Sequence, residues 1–175
     1  MTIRAIQLAS PRLHLRWARA EDLDAIHRIM ADEETMRYWS TPPHTTRDQT
    51  RLWLDSMILA DPACSDDFIL EHDGDVIGKL GAWKLPEIGF FVRRDQTGRG
   101  FASEALNTFV HYIASRGVPF LTADVDPLNM ASLNLLNRAG FIETGTASGT
   151  FTVGQRLCDS IYLRLDLQQS AARNL

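Results

Sequence analysis

The 175-residue chain is poor in cysteine: only Cys64 and Cys158 occur, far apart and without Cys-x-x-Cys spacing. A disulfide framework and a cysteine-bound zinc site are therefore not expected. Both read as reduced thiols, small buried hydrophobes of a cytoplasmic protein. The five histidines stand singly. No His/Cys/Asp cluster has metal-ligand spacing, so no metal is expected. No apolar run is long enough to cross a bilayer, and residues 1–11 are too mixed for the apolar core of a signal peptide. No membrane partner is expected. Excess positive charge is missing too: 18 Lys and Arg face 22 Asp and Glu, for a formal net charge of -4 and a pI near 5.7. Nucleic acid is not expected as a partner, because phosphate binding wants a basic face. An amine substrate is compatible with this balance. Internal repeats and low-complexity stretches are absent as well.

What is present suffices for a core. Hydrophobic residues make up 45 % of the chain, enough for one domain over residues 1–175 without staples. Arg12 to Trp17 alternates as a first strand. Ala20-Glu-Asp22 opens a helix with a Leu23, Ile26, Met30 stripe, broken by Ser40-Thr-Pro-Pro-His44. A second helix is expected from about Thr46 to Ala60, with Leu52, Trp53 and Met57 buried. Phe68-Ile-Leu70, Asp73-Gly74 and Val76-Ile77 read as a hairpin whose second strand runs to about Trp83. Trp53 and Trp83 read as core or half-core. After Pro86, Ile88 to Val92 is a strand. Ser103 to Arg116 is the clearest helix, with Leu106, Phe109, Val110 and Ile113 at i, i+3, i+4, i+7. Phe120 to Val125 is a strand, and Ala131 to Ala139 a short helix with Gly140 as its left-handed cap. Phe141 starts a strand. The Gly/Ser/Thr-rich Gly145 to Gly154 reads as a loop before a last strand, about Ser160 to Leu165. The tail after Leu167 is expected to fray. A βαβ unit flanked by antiparallel material predicts one mixed sheet with helices on its faces, an α/β (α+β) fold.

Thr97-Gly-Arg-Gly-Phe-Ala102 follows a strand and opens the helix at Ser103. A helix N-terminus offers unpaired N–H groups and partial positive charge, glycines permit close backbone approach, and Arg99 adds a charge within reach of phosphate. An ordinary loop-to-helix turn is the alternative. A Walker loop is excluded, since Phe101 and Ala102 stand where Lys and Ser/Thr belong. A dinucleotide fingerprint lacks its third glycine, because Ser103 occupies that place; Asp124, at the end of the next strand, is the one feature in its favour.

Val92-Arg-Arg-Asp-Gln-Thr-Gly-Arg-Gly-Phe-Ala102 resembles the acetyl-CoA loop of the GNAT N-acetyltransferases. Gly100 and Ala102 match the family's two small positions, while Thr97 departs from its usual Gln or Arg. Asp126-Pro-Leu-Asn-Met-Ala-Ser-Leu-Asn-Leu-Leu-Asn-Arg-Ala-Gly-Phe141 resembles the family's next strand and helix, especially in its RimJ/RimL-type branch. Glu87-Ile-Gly-Phe90, Arg12-Leu-His-Leu-Arg16 and Asp159-Ser-Ile-Tyr162 are similar to that branch too, so the resemblance spans about residues 10–166. It implies a largely antiparallel sheet of about six to seven strands, splayed in the middle, with about four helices. It further implies acetyl-CoA as co-substrate. Backbone groups of Phe90 and Val92 would hold the pantetheine arm, and the Thr97 to Ser103 loop (Thr97, Gly98, Arg99, Gly100, Phe101, Ala102, Ser103) the pyrophosphate. Asn129 would contact the cofactor, cap the helix at Ala131, or both.

Acetyl transfer to an amine needs a neutral nucleophile, donors for an oxyanion and a proton or dipole for the leaving thiolate. A strand-edge amide at Phe91 or Val92 is the candidate donor. Asp124 and Glu87 are the candidate bases, against readings as solvated strand-end and loop acids. The resemblance puts Leu136 where many relatives carry a Tyr acid, so Ser132 becomes the candidate, against a purely local backbone bond. Tyr38 and Trp39 are candidate acceptor-binding aromatics or a satellite core cluster. The acceptor is expected to be a peptide N-terminus or a small amine, and the assembly a monomer or homodimer. A non-catalytic acyl-CoA-binding module and a Rossmann oxidoreductase are the competing functions, separable by thiol release and nicotinamide binding.

Overall fold

The computed structural model describes residues 7–167; the tail expected to fray lies outside them. Two short strands, β1 (Leu8–Ala9) and β2 (His14–Arg16), lead into α1 (Leu23–Met30) and α2 (Arg47–Ile58). Thr46 begins α2 with a reciprocal cap: its hydroxyl accepts from the Gln49 amide and the Gln49 side chain accepts from the Thr46 amide. Then follow β3 (Asp66–His72), β4 (Asp75–Lys84), β5 (Glu87–Val92), α3 (Phe101–Ser115), β6 (Phe120–Val125), α4 (Met130–Arg138), β7 (Ile142–Val153) and β8 (Arg156–Asp166). The β3–β4 turn has left-handed φ at both Asp73 (50°) and Gly74 (83°), the twist that closes a two-residue hairpin.

All eight strands form one sheet in the order β1-β2-β3-β4-β5-β6-β8-β7. Every neighbouring pair is antiparallel except β5 and β6. The sheet is thus mixed and largely antiparallel, with β1 and an extended last hairpin beyond the six to seven strands expected. Side chains alternate between two cores. Phe68 and Leu70 of β3 and Ile88 of β5 pack with Leu106, Phe109 and Ile113 of α3 and Leu136 of α4. Ile69 of β3 and Phe91 of β5 point the other way, onto Ile26, Ile29 and Met30 of α1 and Met57 of α2. Helices α3 and α4 therefore cover one face, α1 and α2 the other. Among the described residues no helix is long and apolar enough to cross a membrane.

Four expectations need correction, the first being Cys64, which is exposed while Cys158 is buried. Gly145 to Gly154 is not a loop: most of it belongs to β7, and β8 begins at Arg156 rather than near Ser160. Thr146, Phe151, Thr152 and Val153 suit a strand, and the register break between Ala147 and Phe151 absorbs Ser148 and Gly149. As an edge strand facing solvent, β7 has the polar composition of a loop. Leu52 is 72 % exposed, whereas Thr50, Leu54 and Met57 form the buried stripe of α2. Trp83 is 57 % exposed near the end of β4.

The α2 assignment predicts opposite outcomes for two leucines. Leu54→Ala should cost about 2–5 kcal/mol in urea unfolding. Leu52→Ala should stay within about 0.5 kcal/mol of wild type. Equal losses would contradict the assigned face.

Candidate active site

The parallel strands β5 and β6 meet at one register pair, Glu87 opposite Thr122. The Thr122 amide donates to the Pro86 carbonyl at 2.9 Å. Beyond this point the strands part. On its other side β5 stays zipped to β4, up to the Arg93 amide donating to the Ile77 carbonyl at 2.7 Å. Antiparallel bonding alternates residue by residue. With Arg93 turned to β4, Phe91 also turns to β4, while Phe90 and Val92 aim their backbone groups into the gap. Of the two amides considered for the oxyanion, that of Phe91 is therefore committed to the ladder and that of Val92 is free to serve.

The loop after β5 reaches the same gap. Thr97 does a local job, its hydroxyl donating to the Arg94 carbonyl at 2.8 Å and closing a single 3-10 turn. Gly98 and Gly100 adopt left-handed φ of 74° and 82°, which a β-branched residue would strain to reach. The first bond across the start of α3 is the Glu104 amide to the Gly100 carbonyl, at 3.0 Å. The amides of Phe101, Ala102 and Ser103 precede it and remain for an anion, helped by the helix dipole.

Arg12 buttresses this arrangement. Its guanidinium donates to Glu104 at 2.7 Å and to the Arg99 carbonyl at 3.0 Å, over the Phe101 ring at 4.6 Å. Burial works against ionisation of Glu104, but donors from Ser10 and Arg12 prevail and its pKa is lowered. Arg99 does not line the cleft: it packs over Phe101 at 4.9 Å and bonds Gln96. The cleft's arginines are Arg94 and Arg138, which sequence reasoning missed. Arg138, in the last turn of α4, carried no local signal.

Gap and loop open into one cleft of about 690 Å³. It gathers Phe90, Phe91 and Val92 of β5, and Thr97, Gly98, Gly100, Phe101, Ala102 and Ser103 of the loop. Asn129 and Ser132 enter from α4, and Tyr38 and Trp39 from the segment between α1 and α2. Phe90 belongs with one core and Phe91 and Trp39 with the other, so the cleft passes through the sheet. Asn129 caps α4, accepting from the Ser132 amide at 3.2 Å, while also lining the cleft. Among the described residues the Ser132 hydroxyl has no hydrogen-bond partner, so the local backbone bond weighed above is absent and the hydroxyl is available. Leu136 is fully buried in the main core.

Glu87 and Asp124 lie outside this lining, on the face carrying α1 and α2. Ile88 and the neighbours of Asp124, Ala123 and Val125, point into the opposite core. Both carboxylates are exposed by area. Partial desolvation, and secondarily the charge of Asp124, raise the Glu87 pKa. On the same face Trp39 meets Phe91 edge-on at 5.0 Å and lies over Gly89, where a Cβ would stand 3.2 Å from the indole. Lys79 reaches 5.3 Å from the Trp39 ring and pairs with buried Asp67 at 2.7 Å. Trp39 thus joins a core cluster and the cleft wall at once. Tyr38 lies between the guanidiniums of Arg37 and Arg156, at 5.5 and 5.9 Å.

A sheet parted between two parallel strands, with an anion-binding helix start at the gap and a passage to the far face, defines an acetyl-CoA-dependent acyltransferase. Residues 12–142 match the family described as Acetyltransferase (GNAT) domain, and the chain belongs to that family. It is 30 % identical over 148 residues to the uncharacterized N-acetyltransferase p20 of Bacillus licheniformis, covering 79 % of this chain and 83 % of that one. Solved structures of other acetyltransferases share the fold, these two among them. One is the Salmonella typhimurium acetyltransferase that modifies the N-terminal serine of 50S ribosomal subunit protein L7/L12 (TM-score 0.82, 17 % identity, 92 % of this chain and 99 % of that one). The other is the Vibrio cholerae spermidine N-acetyltransferase in complex with CoA and spermine (TM-score 0.80, 20 % identity, 93 % and 99 %). Acetyl-CoA is the co-substrate.

Gly100→Val should abolish acetyl-CoA binding in calorimetry, because the left-handed φ alone costs a β-branched residue about 1–2 kcal/mol and its side chain obstructs the loop. Arg12→Ala should weaken binding roughly tenfold by freeing the Arg99 carbonyl and Glu104. Unchanged affinity in both variants would contradict the loop assignment.

Proposed function

We propose that this enzyme acetylates the α-amino group of a protein or peptide in the cytoplasm, as a RimJ/RimL-type member of its family, by direct attack within a ternary complex. The observation that carries the reading is the cleft itself, which runs from the α3 helix start through the sheet to Tyr38 and Trp39. The pyrophosphate would sit on the amides of residues 98–103, and the pantetheine arm along the Phe90 and Val92 edge. The amine would approach from the opposite face. Glu87, with Asp124 beside it, takes the ammonium proton; the amine then forms the N–C bond, and negative charge on the thioester oxygen meets the Val92 amide. As the C–S bond breaks, the Ser132 hydroxyl donates to the thiolate.

The acceptor class follows from base strength. An α-ammonium ionises near 8 and an alkyl ammonium near 10.4. Carboxylates are the bases available, and even with a raised pKa they suit the stronger ammonium acid, the α-ammonium, better. The wall points the same way: Tyr38 and Trp39 offer aromatic surface to an extended peptide. A second reading, a small cationic amine, is favoured by the pairing of Glu87 with Asp124, and one structure of the same fold is the spermidine enzyme.

The test is thiol release from acetyl-CoA with hexapeptides of free N-terminus in competition with spermidine and lysine. Peptides should be preferred; efficient acetylation of small amines alone would overturn the acceptor assignment. Glu87 must be ionised to act, so the acid limb of the kcat profile should lie above the ordinary glutamate range near 4.3. Asp124→Asn removes a charge that disfavours ionised Glu87, so the limb should move to lower pH; the shift is partial because desolvation, the larger cause, remains. Ser132→Ala should lower kcat roughly 100-fold with little change in acetyl-CoA affinity. An unmoved limb would remove Asp124, and wild-type turnover in Ser132→Ala would remove Ser132.

A further inference from the structure

Arg156 is the first residue of β8, directly after the Gly154–Gln155 turn, and its guanidinium joins segments far apart in the chain. One nitrogen donates to the Asp126 carboxylate at 2.7 Å, and another to the Arg37 carbonyl at 3.1 Å. The Asp126 side chain is 3 % exposed. Its other oxygen accepts from the Leu128 amide at 2.8 Å, and its carbonyl accepts from the Asn129 amide at 2.8 Å. Asp126 thus shapes the turn that delivers Asn129 and Ser132 to the cleft. The Arg37 carbonyl lies directly before Tyr38. That segment is otherwise anchored by Met36 and Trp39 in the second core.

We propose that Arg156 is a positioning residue that locks the Tyr38 wall to the turn at the start of α4, so that an acceptor resting on that wall is held in register with Ser132. The proposal rests on the acceptor reading above. A planar fork suits it, because Nη1 and Nη2 hold fixed, separate directions toward acceptors on two different segments, which the single ammonium nitrogen of a lysine does not offer. The position supports it: the β7–β8 hairpin tip reaches over both segments, and the contacts span 30 and 119 residues of sequence. An isolated surface ion pair would do little. Here the carboxylate is buried and already committed to the turn, so the guanidinium completes its bonding.

Arg156→Ala leaves Asp126 buried without its cation and risks the fold. Arg156→Lys keeps the charge but cannot span both acceptors, and it is the decisive variant. In Arg156→Lys the peptide KM should rise roughly tenfold, the worth of one directed hydrogen bond, with acetyl-CoA KM within about twofold of wild type. Independently of activity, amide exchange at residues 36–40 should quicken in both variants, beyond any change at the hairpin tip, residues 153–158. Exchange confined to the tip, or equal movement of both KM values, would overturn the proposal. If wild type acetylates no amine in the panel, the acceptor reading fails, and the exchange measurement still decides whether Arg156 couples the two segments.

Discussion

The parting of β5 from β6 after the single pair Glu87–Thr122 is the constraint on which the site depends. A backbone group removed from water needs a partner. Along most of the sheet interior a neighbouring strand supplies it. At Phe90 and Val92 no strand does, and the chain instead places a helix start and a turn at the opening. Binding capacity arises from backbone left unsatisfied by topology, with few specialised side chains required. That is consistent with a loop in which Thr97 stands at a position more often Gln or Arg and serves a local turn.

Unsatisfied backbone is useful only where it is held still, and two arginines do this from outside the gap. Arg12 reaches from the strand region at the chain start to the carbonyl of Arg99 and to Glu104. Arg156 reaches from the last hairpin to Asp126 and Arg37. One braces the loop that carries the helix start, and the other joins the turn before α4 to the segment that carries Tyr38. The global charge of -4 conceals this local arrangement. Arg94 and Arg138 line the cleft, while the candidate bases Glu87 and Asp124 lie outside its lining, on the face carrying α1 and α2.

Much of this was legible from local pattern. The 3.6-residue spacing of Leu106, Phe109 and Ile113 marks α3, and glycines before it mark a helix start needing left-handed turns. The β3–β4 hairpin follows from Asp73-Gly74. Where local chemistry is ambiguous, the reading failed for physical reasons. Strand β7 is polar because it is an edge. Leu52 falls two positions from the stripe that tertiary packing selects. The direction of Arg99, packed over Phe101 and bonded to Gln96, and the presence of Arg94 and Arg138 in the cleft lining depend on tertiary contacts and have no local signature. The bridge made by Arg156 joins residues so distant that no window of sequence contains it.

Strand parity gives the central claim its most direct test. Amide exchange resolved by NMR, with and without coenzyme A, reads each residue of β5 separately. If the gap holds the cofactor arm, the Phe90 and Val92 amides should gain protection of roughly tenfold or more on binding, while Phe91, already bonded to β4, stays unchanged. Coenzyme A binding with no added protection at Phe90 or Val92, or with equal change at all three, would contradict the account.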